Sequence, residues 1–198
     1  MKEENIRLSE NLIIADADYI DRVAFLLSVQ FERMLGRRIP PADLSQWAVC
    51  IALDGGLRPG NHETQLVLVH DPQQTRMENF VPADYAADLN GRAFRDEQLG
   101  EFIVNAYATN DLASKADYLT DLLQTAVGHR EVKRIMLIPD AEDGETYERV
   151  RRSLHDADTE GKRVTVFAMQ PMAGGNFQQE ILGYSLMNAL GIKANEIK

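Results

Sequence analysis

Two apolar stretches of this chain run directly into carboxylates. NLIIAD (11–16) is followed by Ala17 and Asp18, and IMLI (135–138) by Pro139, Asp140, Ala141, Glu142 and Asp143. Acids at the ends of buried strands do one of two kinds of work. They hold a hard divalent cation such as magnesium or manganese, which takes one or two carboxylates and completes its octahedron with water. An ion so held polarises a phosphoryl oxygen and lowers the pKa of an attacking water. Otherwise they cap the helices that follow, accepting first-turn amides and complementing the helix dipole. Asp18 and Asp143 stand where caps belong, ahead of helices expected from Tyr19 and from Gly144 or Glu145, and capping is favoured for both. Asp16 and Asp140 sit earlier, at the strand ends themselves, and for these two ligation and a structural role stand level.

The acids converge only if their strands are neighbours, so the order of elements matters. A strand is expected at 11–15 and a helix at 19–35, where Ile20, Val23, Ala24, Leu27, Phe31, Met34 and Leu35 recur at helical spacing. Phe25, Leu26 and Val29 widen that apolar surface and predict burial on more than one side. GRRIPP ends the helix, a second helix follows at 41–53, and DGGLRPGNHE is a glycine-rich loop. Strands are then expected at 64–70, 101–108, 134–138 and 163–169, with helices at 113–127, 145–157 and 177–190. Residues 71–100 are polar and weakly patterned and read as an insertion. Alternating strand and helix, with near-continuous apolar strands, predicts a mostly parallel sheet covered on both faces: a three-layer α/β/α sandwich in one domain spanning 1–198.

Composition narrows the function classes. The 198 residues are 44% hydrophobic and 26% charged, enough for a sizeable core, and no apolar run reaches membrane-spanning length. The polar N-terminus has no apolar core of a secretory signal, so the cytoplasm is the expected compartment. Cys50 has no partner for a disulfide and is expected in the core. A net charge of −10 argues against tight, general nucleic-acid binding, although HREVKR (129–134) and YERVRRSLH (147–155) offer local basic faces. The four histidines lack metal-ligand spacing, and there is no GxSxG nucleophile turn. The Gly174-Gly175-Asn176 turn lacks a dinucleotide-binding spacing, and Asn176 is expected to cap the helix that follows.

The stretch KADYLTDLLQTAVGHREVKRIMLIPDAEDGETYERVRRSLHDADTEGKRVTVFAM (115–169) resembles the C-terminal half of NYN domains, of the PIN-like nuclease superfamily. Lys115 and Asp117 match a lysine and aspartate opening a helix, Asp140 and Glu142 match an acidic turn after a strand, and Gly161-Lys162 match the turn into a final strand. IIADADYI resembles the family's first strand, with Asp16 as its aspartate. Glu142 replaces the usual aspartate, a proline precedes the acidic turn, and residues 37–100 match nothing in the family. The resemblance implies a PIN-like (Rossmann-like) topology and RNA phosphodiester hydrolysis with magnesium or manganese, with Asp16, Asp117, Asp140 and Glu142 as ligands. In this reading Asp16, Asp140 and Glu142 are the catalytic acids, while Arg149 and Arg152 meet phosphates. Helical periodicity turns Asp121 away from the sheet and leaves Asp117 well rotated from it.

Two function classes follow. One is a divergent PIN/NYN-like, metal-dependent phosphodiesterase acting on RNA or another phosphodiester. The other is a non-catalytic α/β protein-interaction module, a homodimer through its apolar first helix. The enzyme requires the Asp16 and Asp140 carboxylates within roughly 5 Å of each other and open to one ion. Carboxylates already engaged by helix amides favour the module.

Overall fold

The computed structural model describes residues 7–197. The elements are β1 (Asn11–Asp16), α1 (Ala17–Leu35), β2 (Ala42–Asp43), α2 (Leu44–Asp54), β3 (His62–His70), β4 (Phe80–Val81), a π-helical turn (Tyr85–Leu89), β5 (Arg92–Asp96) and β6 (Gly100–Ala108). They continue with α3 (Lys115–Gly128), β7 (Arg134–Ile138), α4 (Gly144–Asp156), β8 (Arg163–Ala168), β9 (Gln178–Ile181), α5 (Leu182–Ala189) and a terminal 3-10 turn. Seven strands form a sheet in the order β5-β6-β3-β1-β7-β8-β9, parallel throughout except for the antiparallel edge strand β5. β2 and β4 make a separate short parallel pair.

β1 lies at the centre, and every one of its residues is buried. Alternation along the strand sorts its side chains between two cores. Ile13 and Ala15 join Leu66, Leu68, Met136 and Ile138 beneath α1, α2 and α5. Leu12 and Ile14 join Val67, Ile135, Leu137, Val164 and Val166 beneath α3 and α4. A one-residue slip would exchange the two sets, and burying each Leu, Ile or Val contributes about 1.5–3 kcal/mol, so packing fixes the register. Helices therefore cover both faces of a mostly parallel sheet, the architecture that the alternation of elements predicts.

Five local expectations change. α1 begins at Ala17 because β1 runs into it without a loop, which makes Asp16, not Asp18, its N-cap; Asp16 accepts the Tyr19 amide at 3.0 Å. α1 buries one side only, leaving Phe25, Leu26 and Met34 exposed at 51%, 56% and 56%. The helix expected at 177–190 is a strand followed by a shorter helix, since Gln178–Ile181 pairs in parallel with β8 and Asn176 reaches instead to the Leu154 carbonyl. Cys50 is half-buried on α2 rather than in the core. Within 71–100, Met77, Phe80, Tyr85 and Leu89 enter the α1-side core, and β5 closes the sheet edge.

Candidate functional site

The sheet order reverses at β1. The chain moves from β1 to β3 and β6 on one side, then returns to β7 and continues to β8 and β9 on the other. Connections leaving the carboxyl ends of β1 and β7 therefore diverge, and such switch points are where open parallel sheets bind ligands. Ala15 pairs with Ile138, so Asp16 and Asp140 leave adjacent strands about one residue apart in height. They line a common cavity of about 340 Å³ with Ser114, Lys115, Asp143, Glu145, Thr146 and Arg149.

Asp16, Asp140 and Asp143 in this crevice already have partners. Asp16 is 4% exposed; beyond capping α1, its Oδ1 accepts from the Lys115 ammonium at 3.1 Å. The same ammonium donates to Asp18 Oδ2 at 2.9 Å, and that oxygen also accepts the Asp71 amide at 2.8 Å. Burial raises the Asp16 pKa above its ordinary value, with Lys115 opposing. Burial works against the Lys115 charge in turn, but Asp16 and Asp18 outweigh it and raise its pKa. Asp140 makes a local turn, its Oδ1 accepting the Glu142 and Asp143 amides at 3.2 and 3.3 Å. Its other oxygen accepts from Arg22 at 2.9 Å, which raises the arginine's pKa.

The remaining candidates sort as follows. Asp143 caps α4 through the Glu145 amide and binds the Thr146 hydroxyl, the hydroxyl being the first cause of its lowered pKa. Asp117 forms a capping box with Ser114 at the start of α3 and is paired with Arg149, which holds its carboxyl down at about 2 with help from Ser114. Glu142 is exposed on the rim, beside the buried Tyr19 hydroxyl, which makes no hydrogen bond of ordinary geometry. Arg152 opens onto a different depression, with Thr120, Gln124 and Asp156. Arg151 binds Glu148 and the Gly174 carbonyl. Asp121 is exposed, on the side the periodicity indicates.

Sequence reasoning alone did not reach Arg22, Tyr19 or the bridging geometry of Lys115. Arg22 sits one turn beyond Asp18 on α1, but its partner is 118 residues away, and no spacing in the sequence announces that pair. Asp21, also unremarked, accepts the Glu78 and Asn79 amides and fastens the segment after β3 to α1.

These contacts decide what the crevice can hold. Asp16 at the N-cap and Asp18 in the first turn of α1 place negative charge where a sheet of this strand order would seat a pyrophosphate, so this turn is not built for a dinucleotide. A resident magnesium or manganese ion fits no better. Among the described residues no group of three or more His, Cys, Asp or Glu side chains is arranged to hold a metal, and three of the four carboxylates that the resemblance nominates, Asp16, Asp140 and Asp117, are bound to Lys115, Arg22 and Arg149. What the geometry defines is an acid-rich crevice whose charge is partly offset by the chain's own cations, on an α/β scaffold.

Residues 5–197 match the model described as "Family of unknown function (DUF6621)", and the chain belongs to that family. No curated protein and no solved structure matches it. No described helix is long and apolar enough to cross a membrane.

Proposed function

We propose that the chain is a protein-interaction module on a PIN-like, three-layer α/β/α scaffold, in which the acids of a phosphodiesterase centre serve as a structural ion-pair cluster. The carrying observation is the Lys115 bridge between Asp16 and Asp18, with Arg22 on Asp140 and Arg149 on Asp117. Carboxylates held in this way are engaged before any metal arrives. The interacting surface is the outer face of α1. Leu26 and Met34 lie two turns apart on it with Phe25 alongside, and exposed apolar groups clustered at this spacing suit a facing helix, here of a second copy.

A metal-dependent phosphodiesterase is the second reading. It has on its side the Rossmann-like strand order and the shared cavity of Asp16 and Asp140 at the switch point. One pair of measurements separates the readings. Single-stranded RNA is incubated with wild type, Asp16→Asn and Asp140→Asn in magnesium and in manganese, and sedimentation velocity is run on wild type and Leu26→Glu. The interaction module gives no cleavage above the Asp140→Asn background and a dimer that Leu26→Glu dissociates. Cleavage abolished by both aspartate substitutions, from a monomeric protein, overturns it.

A further inference from the structure

The amino edge of the sheet gathers guanidiniums from three segments. Arg134 opens β7 and Arg163 opens β8, and the two are direct partners in that parallel pair. Residues in register on neighbouring strands, about 4.8 Å apart, point to the same face, so these side chains stand next to each other. Both reach the turn that follows α2. Arg134 donates from Nε to the Gly55 carbonyl and from Nη2 to the Gly56 carbonyl, each at 3.1 Å, and from Nη1 to Asn11 Oδ1 at 3.4 Å. Arg163 packs on Gly56 itself, where a Cβ would lie 2.7 Å from the guanidinium carbon and where φ is 89°, so close approach and backbone both call for glycine. Arg58 follows two residues later, on a loop whose backbone is fastened by the His62 ring, which donates to the Arg58 carbonyl at 2.7 Å. HREVKR and the glycine-rich loop DGGLRPGNHE thus meet at one edge, joined by the arginine of GKR.

No carboxylate among the described residues forms an ion pair with Arg58, Arg134 or Arg163. That is notable in a chain with 31 acidic residues for 21 lysines and arginines, where partners are in excess. The groups that Arg134 does bind are neutral. The carbonyl end of α2 supplies about half a negative charge, well short of three positive ones. Burial, and after it the Arg163 and Arg58 charges, lower the Arg134 pKa, with Glu10 opposing. Like charges held side by side across strands cost stability, and a doubly charged anion between them removes that cost. Guanidinium forks present paired N–H donors that match two oxygens of a phosphate group. Arg58 and Arg163 are exposed, so such an anion reaches both, while Arg134 stands behind them already oriented by three bonds.

We propose that Arg58, Arg134 and Arg163 form a binding site for a phosphate-class dianion at the amino edge of the sheet. It takes the phosphoryl group, free or esterified. The acid crevice lies at the carboxyl ends of the same strands and shares no residue with it, so the site stands whichever reading of the crevice holds.

The test uses the full chain and inorganic phosphate at constant ionic strength. Calorimetric titration of wild type is expected to show saturable one-site binding. Arg163→Gln and Arg58→Gln should each weaken it at least about tenfold, the loss of one hydrogen-bonded charge, and Arg76→Gln, at an exposed arginine beyond the carboxyl end of β3, should change it less than about twofold. No saturable binding by wild type, or equal weakening by all three substitutions, overturns the proposal. O-phosphoserine in place of phosphate separates the sources: binding as tight as that of phosphate assigns an esterified phosphoryl group, and weaker binding the free ion. Should the Arg163→Gln protein fail to fold, phenylglyoxal modification of wild type, read by mass spectrometry, decides. Phosphate is expected to slow the reaction at Arg58 and Arg163 but not at Arg76, and rates unchanged by phosphate at all three overturn the proposal.

Discussion

Asp16 carries two roles that substitution can separate. Its side chain caps α1, and its charge faces Lys115. Asparagine caps helices about as well as aspartate, so Asp16→Asn keeps the bond to the Tyr19 amide and deletes only the charge. Because burial raises the Asp16 pKa in spite of Lys115, the ionised form is the costly one. Removing one member of a buried ion pair usually costs stability because it strands the other charge, but here Lys115 keeps Asp18 as a partner and the raised Asp16 pKa makes its charge unfavourable to folding, so the expected change at pH 7 lies between zero and a gain of about 1 kcal/mol. Asp16→Ala removes the cap as well and should cost about 1–2 kcal/mol. With a urea m-value of about 2 kcal/mol per molar, the alanine midpoint falls by about 0.5–1 M while the asparagine midpoint does not fall. The pH dependence has a definite sign. A carboxyl whose folded pKa is raised makes the protein more stable as pH drops through that value toward about 4, where the unfolded chain also protonates. Wild type should show this rise and Asp16→Asn should lack it. Equal losses of midpoint in the asparagine and alanine variants would falsify the argument, since the charge on Lys115 would then outweigh its desolvation.

Two further outcomes are expected. Asp117 should titrate near 2 by carboxyl-detected NMR and move up toward the ordinary range in Arg149→Ala, because the guanidinium is the first cause of its depression; the stability it lends is present above about 4 and fades as pH falls toward 2. Gly100→Ala should be far more damaging than Gly91→Ala. Both glycines have positive φ, at 95° and 76°, but a Cβ on Gly100 would lie 2.3 Å from the His62 carbonyl oxygen, whereas Gly91 has open space. The left-handed backbone alone costs about 1–2 kcal/mol at Gly91. A backbone clash in the β3–β6 ladder adds to that at Gly100, and comparable urea midpoints for the two variants would count against the register of that pair.

Much of the scaffold was legible because local physics and tertiary packing agree there. β7 is found at 134–138 as expected, since a short apolar run between a basic turn and Pro139 has no helical alternative. α1 ends at Gly36, whose φ of 64° is the left-handed cap that a glycine after a helix signals. β9 was hidden because Gln178–Ile181 has no apolar alternation; it is a strand only by virtue of pairing with β8, and periodicity carried the following helix backward over it. The candidate site was legible as a set of acids and illegible as a charge state. Asp16, Asp140 and Lys115 are visible one by one in the sequence, but the pairs Lys115–Asp16 and Arg22–Asp140 exist only once three segments meet at the sheet's carboxyl edge. Long-range ion pairing leaves no periodic trace, and it is what separates a metal-holding acid cluster from a neutralised one.

The central place of β1 also sets a schedule for synthesis. Its partner on one side is β3, made soon after, but its partner on the other is β7, and Asn11 pairs with Arg134, 123 positions later. At about 5–20 residues per second, a nascent chain holds the apolar strand NLIIAD with that edge open for about 6–25 s. Closure of the centre, and with it the meeting of Asp16 and Asp140, waits until the ribosome has passed residue 140. During that interval the N-terminal half keeps one edge of an apolar strand unpaired, and a ribosome pause placed between β6 and β7 would lengthen its exposure directly.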